Sequence, residues 1–394
     1  MYRNSPQEIY LDNAATTRAS PEVSAEVSRC LTDAYGNPSS IHDKGLEAEE
    51  IISRAAAALA SVLEVNPDEL LFTSGGTEAN NMAILGALPT PGRARDRVVV
   101  SAVEHPSVHN VAVEIERRGY EVVFAPVDRL GVLDLDRFRE AVARGAALVS
   151  IMHVNNEIGA IQPVDQVAEI LEDLPAKPIL HVDSVQSLGH IPFHPREAGV
   201  DLATFSAHKI HGPKGCGALW VRRGVRLNPI VLGGGQQRGL RSGTENVPGI
   251  AGFGAACRRI AADPGFPQRS LRPLREAYLR GLCDAPGSRL IGPRDTGTKP
   301  GQSAPHILNV SFQGVKAEVL VRALGSTGIF LSTGSACSSR KREPNRILAA
   351  MGIPPEVADG AVRLSFGIFN TPEEVGPAVA AIMEAVARFR GIRG

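Results

Sequence analysis

The chain has 394 residues, of which 43% are apolar and 21% charged, with 42 basic residues set against 42 acidic ones. That balance leaves no excess of positive charge for nucleic acid, and no apolar run is long enough to span a bilayer, so neither nucleic acid nor membrane is an expected partner. A single apolar core stops growing at roughly 250–300 residues, so two domains are expected.

In chain order, the first ten residues lack the basic stretch and apolar segment of a secretory leader, which points to a cytoplasmic, reducing setting. The apolar run Leu70–Phe72 reads as a buried strand. It leads into Thr73-Ser74-Gly75-Gly76-Thr77-Glu78-Ala79-Asn80, a glycine turn and a helix start. Free backbone N–H groups and the helix dipole favour an anion there, so the segment can cradle a phosphate; an ordinary turn with Thr77 as helix cap explains the same residues. Runs at Val98–Val100, Val122–Ala125, Leu148–Met152, Ile179–Val182, Leu202–Phe205 and Ala218–Val221 continue the strands. Between two of them Val164, Val167, Ala168, Leu171 and Leu174 recur at helical spacing, and this alternation indicates an α/β fold with a mostly parallel central sheet. Ligands then belong at the carboxyl ends of its strands.

Two of those ends carry suggestive side chains. Asp183 closes the strand Ile179–Val182, where it can partner the ring nitrogen of a pyridine cofactor or cap the next helix; Gln186, three residues on, can reach a ring hydroxyl. Lys209 follows Leu202–Phe205 within Ser206-Ala207-His208-Lys209-Ile210-His211-Gly212, a poor place for a solvated lysine. A desolvated lysine loses its proton and can form a Schiff base, the usual attachment of pyridoxal phosphate, with Ser206 and His208 available to the phosphate.

Farther on come a glycine-rich stretch at 233–245, a helix at Ile250–Ala262, and a break at Pro264–Pro273. A helix at Leu271–Cys283, strands at Ile307–Phe312 and Ala361–Phe366 and a last helix at Glu373–Phe389 suit a smaller α+β domain. The five cysteines show no CxxC pair, so no disulfide framework and no metal site are expected. Cys30, Cys216, Cys257 and Cys283 read as buried thiols. Cys337 differs: it lies in a segment rich in glycine and serine, and Arg340, Lys341 and Arg342 follow closely. Nearby positive charge lowers a thiol's pKa and populates the thiolate; a solvated, inert loop is the other reading of those residues.

Taken together, His181-Val182-Asp183-Ser184-Val185-Gln186, Ser206-Ala207-His208-Lys209-Ile210-His211-Gly212-Pro213-Lys214-Gly215 and Gly334-Ser335-Ala336-Cys337-Ser338-Ser339 resemble the motifs of cysteine desulfurases of the NifS/IscS type. The likeness starts at Tyr10-Leu11-Asp12-Asn13-Ala14-Ala15-Thr16-Thr17 and ends at Val362-Arg363-Leu364-Ser365. It implies the fold type I of pyridoxal-phosphate transferases, with a large domain at 15–262 and a small domain joining 1–14 to 263–394. It implies a homodimer as well. By the same resemblance His105 stacks on the cofactor ring, Asn156 contacts its hydroxyl, and Gly76, Thr77, Ser206 and His208 hold the phosphate. Thr244 comes from the neighbouring subunit, and Arg363, assisted by Asn37, grips the substrate carboxylate.

The implied reaction converts L-cysteine to L-alanine, with Lys209 moving the Cα proton and Cys337 taking the sulfur as a persulfide. A sulfur-acceptor protein, such as an iron–sulfur scaffold or another carrier, would then receive it, and the three basic residues after Cys337 suit an acidic partner. A selenocysteine lyase or an aminotransferase of the same fold is the alternative, separated by its products.

Overall fold

The structure, a computed structural model, describes residues 8–89, 96–295, 302–333 and 345–391. Its strands are β1 (Ile9–Tyr10), β2 (Leu70–Thr73), β3 (Arg97–Ser101), β4 (Glu121–Ala125), β5 (Leu148–Met152), β6 (Ile179–Asp183), β7 (Leu202–Ser206), β8 (Gly217–Val221), β9 (Ser288–Ile291), β10 (Ile307–Phe312), β11 (Ile329–Phe330) and β12 (Ala361–Ser365). Helices α1 (Pro21–Thr32), α2 (Asp43–Leu63), α3 (Gly76–Ala87), α4 (Pro106–Arg117), α5 (Leu135–Ala143), α6 (Val164–Glu172) and α7 (Val247–Ala262) belong to the first two thirds of the chain. Helices α8 (Arg272–Cys283), α9 (Ala317–Gly325), α10 (Arg346–Ala350), α11 (Pro355–Ala358) and α12 (Val375–Gly391) follow.

Seven strands form the central sheet in the order β2-β8-β7-β6-β5-β3-β4. β3, β5, β7 and β8 are buried at every residue, as expected of strands covered on both faces, which explains why they read as continuous apolar runs. β8 runs antiparallel to both of its neighbours, and all other pairs are parallel. β2 therefore points the same way as β7, and the carboxyl ends of β2, β3, β5, β6 and β7 share one edge of the sheet.

A second sheet, antiparallel and of order β12-β10-β9, lies in the last third of the chain. The central sheet packs around Val149, Ile151, Val182, Phe205, Trp220 and Phe253, whereas Leu11, Tyr278, Leu308, Phe312, Leu364 and Phe366 belong to a separate apolar cluster. The N-terminal segment joins the two: β1 pairs with β11, the Asn13 amide donates to the Ser365 carbonyl at 3.3 Å, and the Thr17 amide donates to the His208 carbonyl at 3.0 Å.

The expected α/β class with a mostly parallel sheet is the observed one. The break expected at Pro264–Pro273 is shorter than its prolines suggest, because Pro267–Leu271 winds as a π turn directly into α8, placing Pro267 and Pro273 in first turns where a missing N–H costs little. Among the described residues no helix is long and apolar enough to cross a membrane.

Candidate active site

At the end of β2 the chain turns through Gly75 into α3. The first bond of that helix runs from the Ala79 amide to the Gly75 carbonyl at 3.1 Å, so the N–H groups of Gly76, Thr77 and Glu78 have no partner among the described residues. Ser206, at the end of β7, has a buried hydroxyl that is also unpartnered. A Cβ on Gly76 would come within 2.7 Å of Val185 Cγ2, just after β6, so a larger residue there would have to push that side chain aside. Three free amides, an orphaned hydroxyl and a helix N-terminus suit a phosphate. Behind the cradle, Glu78 receives the Ser74 amide at 2.6 Å and the Arg241 Nε at 2.7 Å, so its charge is paired.

Asp183 is 4% exposed. Its Oδ1 accepts the Val185 amide at 3.0 Å and its Oδ2 accepts Asn80 Nδ2 at 2.7 Å. The first bond is a local cap; the second is not. Asn80 Nδ2 also donates to Ser107 Oγ at 2.8 Å, and the Ser107 amide donates to His105 Nδ1 at 3.1 Å. With Nδ1 accepting, the proton of a neutral His105 sits on Nε2. Burial lowers the His105 pKa, Lys209 and Arg346 push the same way, and Asp183 opposes them.

Lys209 Nζ donates to the carbonyls of Ala14 and Ala15, both at 2.7 Å. Gln186 Nε2 donates to the same Ala14 carbonyl at 2.9 Å, and its Oε1 lies 3.4 Å from His306 Nε2. Burial, followed by the charge of Arg363, lowers the Lys209 pKa to about 8 against the pull of Asp12 and Asp183. At pH 7.5 roughly a quarter of the amine is then neutral, compared with about one part in a thousand at its ordinary value. His208 Nδ1 meets Thr16 Oγ1 at 3.2 Å, and its pKa falls to about 3, mostly through burial.

Arg363 is 3% exposed. Nη1 donates to the Asn156 carbonyl at 2.8 Å and Nη2 to Asp12 Oδ1 at 2.7 Å, while Nε is buried without a partner. Asn156 Oδ1 is likewise buried and unpartnered. Asn37 and Thr244 are exposed; Asn37 Oδ1 accepts the Ser39 amide at 2.9 Å, and neither residue hydrogen-bonds another candidate among the described residues. Cys337 lies outside the described residues, as do Arg340, Lys341 and Arg342. Of the other thiols, burial pushes Cys216 up to about 12 and Cys283 up to about 11, values at which neither is a nucleophile near neutrality.

Five residues escaped the sequence reading: Asp12, Asn80, Glu104, Ser107 and Arg346. Asn80 lies one turn after Gly76 on α3, and that spacing is a signal that could have found it. Glu104, beside His105, is fully buried; Oε1 accepts Ser101 Oγ at 2.5 Å and the Met152 amide at 2.6 Å, and Oε2 has no partner. Burial first, with Asp183 adding to it, raises its pKa to about 8. The folded chain therefore holds this proton from about pH 4.5 to 8 while the unfolded chain releases it, so folding stability falls as pH rises through that window. Glu104→Gln is expected to flatten the decline, worth about 3 kcal/mol at pH 7, and thermal melts of both proteins from pH 5 to 8 would show it. Parallel curves would mean that Glu104 is ionised at neutral pH.

Fold and strand-end site together define a type I pyridoxal-phosphate enzyme. The aminotransferase class-V family model matches residues 9–377. Cysteine desulfurase IscS 1 of Archaeoglobus fulgidus is 40% identical over 383 residues, spanning 97% of this chain and 98% of that protein. A solved NifS-like protein aligns with a TM-score of 0.89 at 36% identity, over 97% of this chain and 100% of the other. SspA, solved in complex with cysteine, aligns at 0.77 and 28% identity, over 92% of this chain and 100% of the other. The chain belongs to the class-V aminotransferase family, and its function within that family is that of a cysteine desulfurase.

Proposed function

We propose that the protein takes sulfur from L-cysteine onto Cys337 as a persulfide, leaving L-alanine, with Lys209 as the cofactor's anchor and the base at Cα. The observation that carries this reading is Lys209 Nζ, held at 2.7 Å by two carbonyls with a pKa of about 8, on the same sheet edge as Asp183. Pyridoxal phosphate, when bound, withdraws electrons from the bonds around the substrate's Cα. Asp183, oriented by Asn80, would keep the ring nitrogen protonated; His105 would cover the ring face, and Gln186 and Asn156 would meet its hydroxyl. Gly76, Thr77, Ser206 and His208 would hold the phosphate, with Thr244 added from a second copy.

Arg363 would bind the substrate carboxylate through its free Nε, and Asn37 would assist. Neutral Lys209 would take the Cα proton and hold it at Nζ. Cys337 would follow five residues after Ser332, which exchanges both backbone hydrogen bonds with Arg363.

A homodimer fits the exposed apolar side chains Leu31, Tyr35, Ile41 and Leu46 and the exposed Leu232 in the loop leading to Thr244. The two apolar clusters support a large domain at 15–262 and a small one made of 1–14 and 263–394. Free Cys30, Cys216, Cys257 and Cys283 suit a reducing compartment, the cytoplasm. The persulfide would pass to an acceptor protein, with iron–sulfur assembly as one destination.

A steady-state assay of alanine and sulfide from L-cysteine, with a thiol reductant present to release the persulfide sulfur as sulfide, tests the reading. Wild type should form them in equal amounts. In Arg363→Ala the KM for cysteine should rise about 10- to 100-fold, the loss of a charge-assisted pair, with a smaller change in kcat, and Arg363→Lys should not restore it because lysine lacks the planar fork. A keto acid in place of alanine, or an unchanged KM, would contradict it.

A further inference from the structure

We propose that Asp12 is a positioning residue for the substrate carboxylate, holding the Arg363 fork in register with Lys209. The inference rests on Arg363 being the group that binds that carboxylate. Its observations lie in the turn that follows β1.

That turn is anchored on β12, where Asp12 bridges to Ser365 and the Ala14 amide donates to Ser365 Oγ at 2.8 Å. The Asp12 carbonyl accepts the amides of Ala15 at 3.1 Å and Thr16 at 3.4 Å, which closes it. At its start Asp12 Oδ1 accepts Arg363 Nη2 at 2.7 Å. Two and three residues later, the carbonyls of Ala14 and Ala15 accept Lys209 Nζ. One short stretch of backbone therefore holds both the arginine of the second sheet and the lysine at the edge of the central sheet.

A guanidinium carries five N–H donors. On Arg363 one goes to the Asn156 carbonyl and one to Asp12, which leaves Nε and one hydrogen on each Nη without a partner among the described residues. Those remaining donors are what a second carboxylate can use. At 3% exposure the arginine's charge needs a partner before substrate arrives as well, because a buried charge left alone is costly. Asp12 supplies it from the turn that also holds Lys209, so the fork keeps one orientation relative to the amine. An α-amino acid bonds its carboxylate carbon directly to Cα, and a shift of the fork therefore moves the Cα proton relative to Lys209. A displacement of about 1 Å at a reacting centre can cost a hundredfold in rate.

The test is a titration of cofactor-loaded protein, followed by the cofactor's visible spectrum, with two probes: L-alanine, and ethylamine, which is L-alanine without its carboxylate. Asp12→Ala should weaken the L-alanine response about 10- to 100-fold, the share of one charge-assisted hydrogen bond, and leave the ethylamine response within about twofold. Asp12→Asn, whose amide oxygen still accepts Nη2, should bring L-alanine binding back to within about threefold of wild type. Equal weakening with both probes would overturn the inference, since the turn would then support the site as a whole. So would L-alanine binding that is unchanged or tighter in Asp12→Ala, or an Asp12→Asn as weak as Asp12→Ala. Arg363→Ala in parallel separates the two ideas. If it binds L-alanine as wild type does, the carboxylate reading fails; if it binds weakly while Asp12→Ala binds normally, only the role of Asp12 fails.

Discussion

In Lys209→Ala protein the visible absorbance of the lysine-linked cofactor should disappear and L-cysteine turnover should fall about ten-thousand-fold or more. The size of the effect follows from the two tasks proposed for one amine. As an anchor, Lys209 must be neutral to attack a carbonyl, and burial supplies that by lowering its pKa to about 8. As a base it must be free to move once substrate has displaced it, and among the described residues it is held by the carbonyls of Ala14 and Ala15, which accept hydrogen bonds without trapping a charge. Alanine removes both functions and leaves the phosphate cradle and Asp183 untouched, so the variant should still bind pyridoxal phosphate, without the yellow colour. A spectrum unchanged from wild type would show that the anchor lies elsewhere.

Cys337→Ser should fail differently. The serine hydroxyl does not ionise near neutrality, so it cannot replace a thiolate nucleophile, and alanine and sulfide release should drop about a thousandfold or more. Lys209, Asp183, His105 and Arg363 are all retained, so the cofactor should remain coloured and its spectral response to L-cysteine should remain close to wild type. This pairing of an intact first half with a missing second half distinguishes a lost sulfur acceptor from a damaged site. Loss of the spectral response together with turnover would assign Cys337 to substrate binding instead.

The central sheet was legible because parallel strands buried on both faces are continuous apolar runs, and Val98–Val100 or Leu202–Phe205 admit little else. The reversed direction of β8 was not, since an antiparallel strand covered on both faces carries the same composition. Short pairings also escaped: β1 and β11 are two residues each, below the length at which a pattern exists. In the site, residues adjacent to strand ends stood out, namely Asp183, Lys209 and the Gly75–Gly76 turn. Their partners did not, because contacts such as Asp12 with Arg363, or Arg346 with the Ala102 carbonyl, join positions hundreds of residues apart, and local spacing does not encode them. Glu104 was hidden for another reason: beside a histidine and a proline it looks like a turn residue, and only the fold shows it to be fully enclosed.

The most direct measurement is a single turnover of the cofactor-loaded protein with L-cysteine, in the absence of reductant, quantifying alanine and the mass of the Cys337 peptide together. One alanine should appear for each sulfur gained on Cys337. Alanine released with no mass gain there, or with the sulfur on another cysteine, would contradict the assignment of Cys337 as the acceptor.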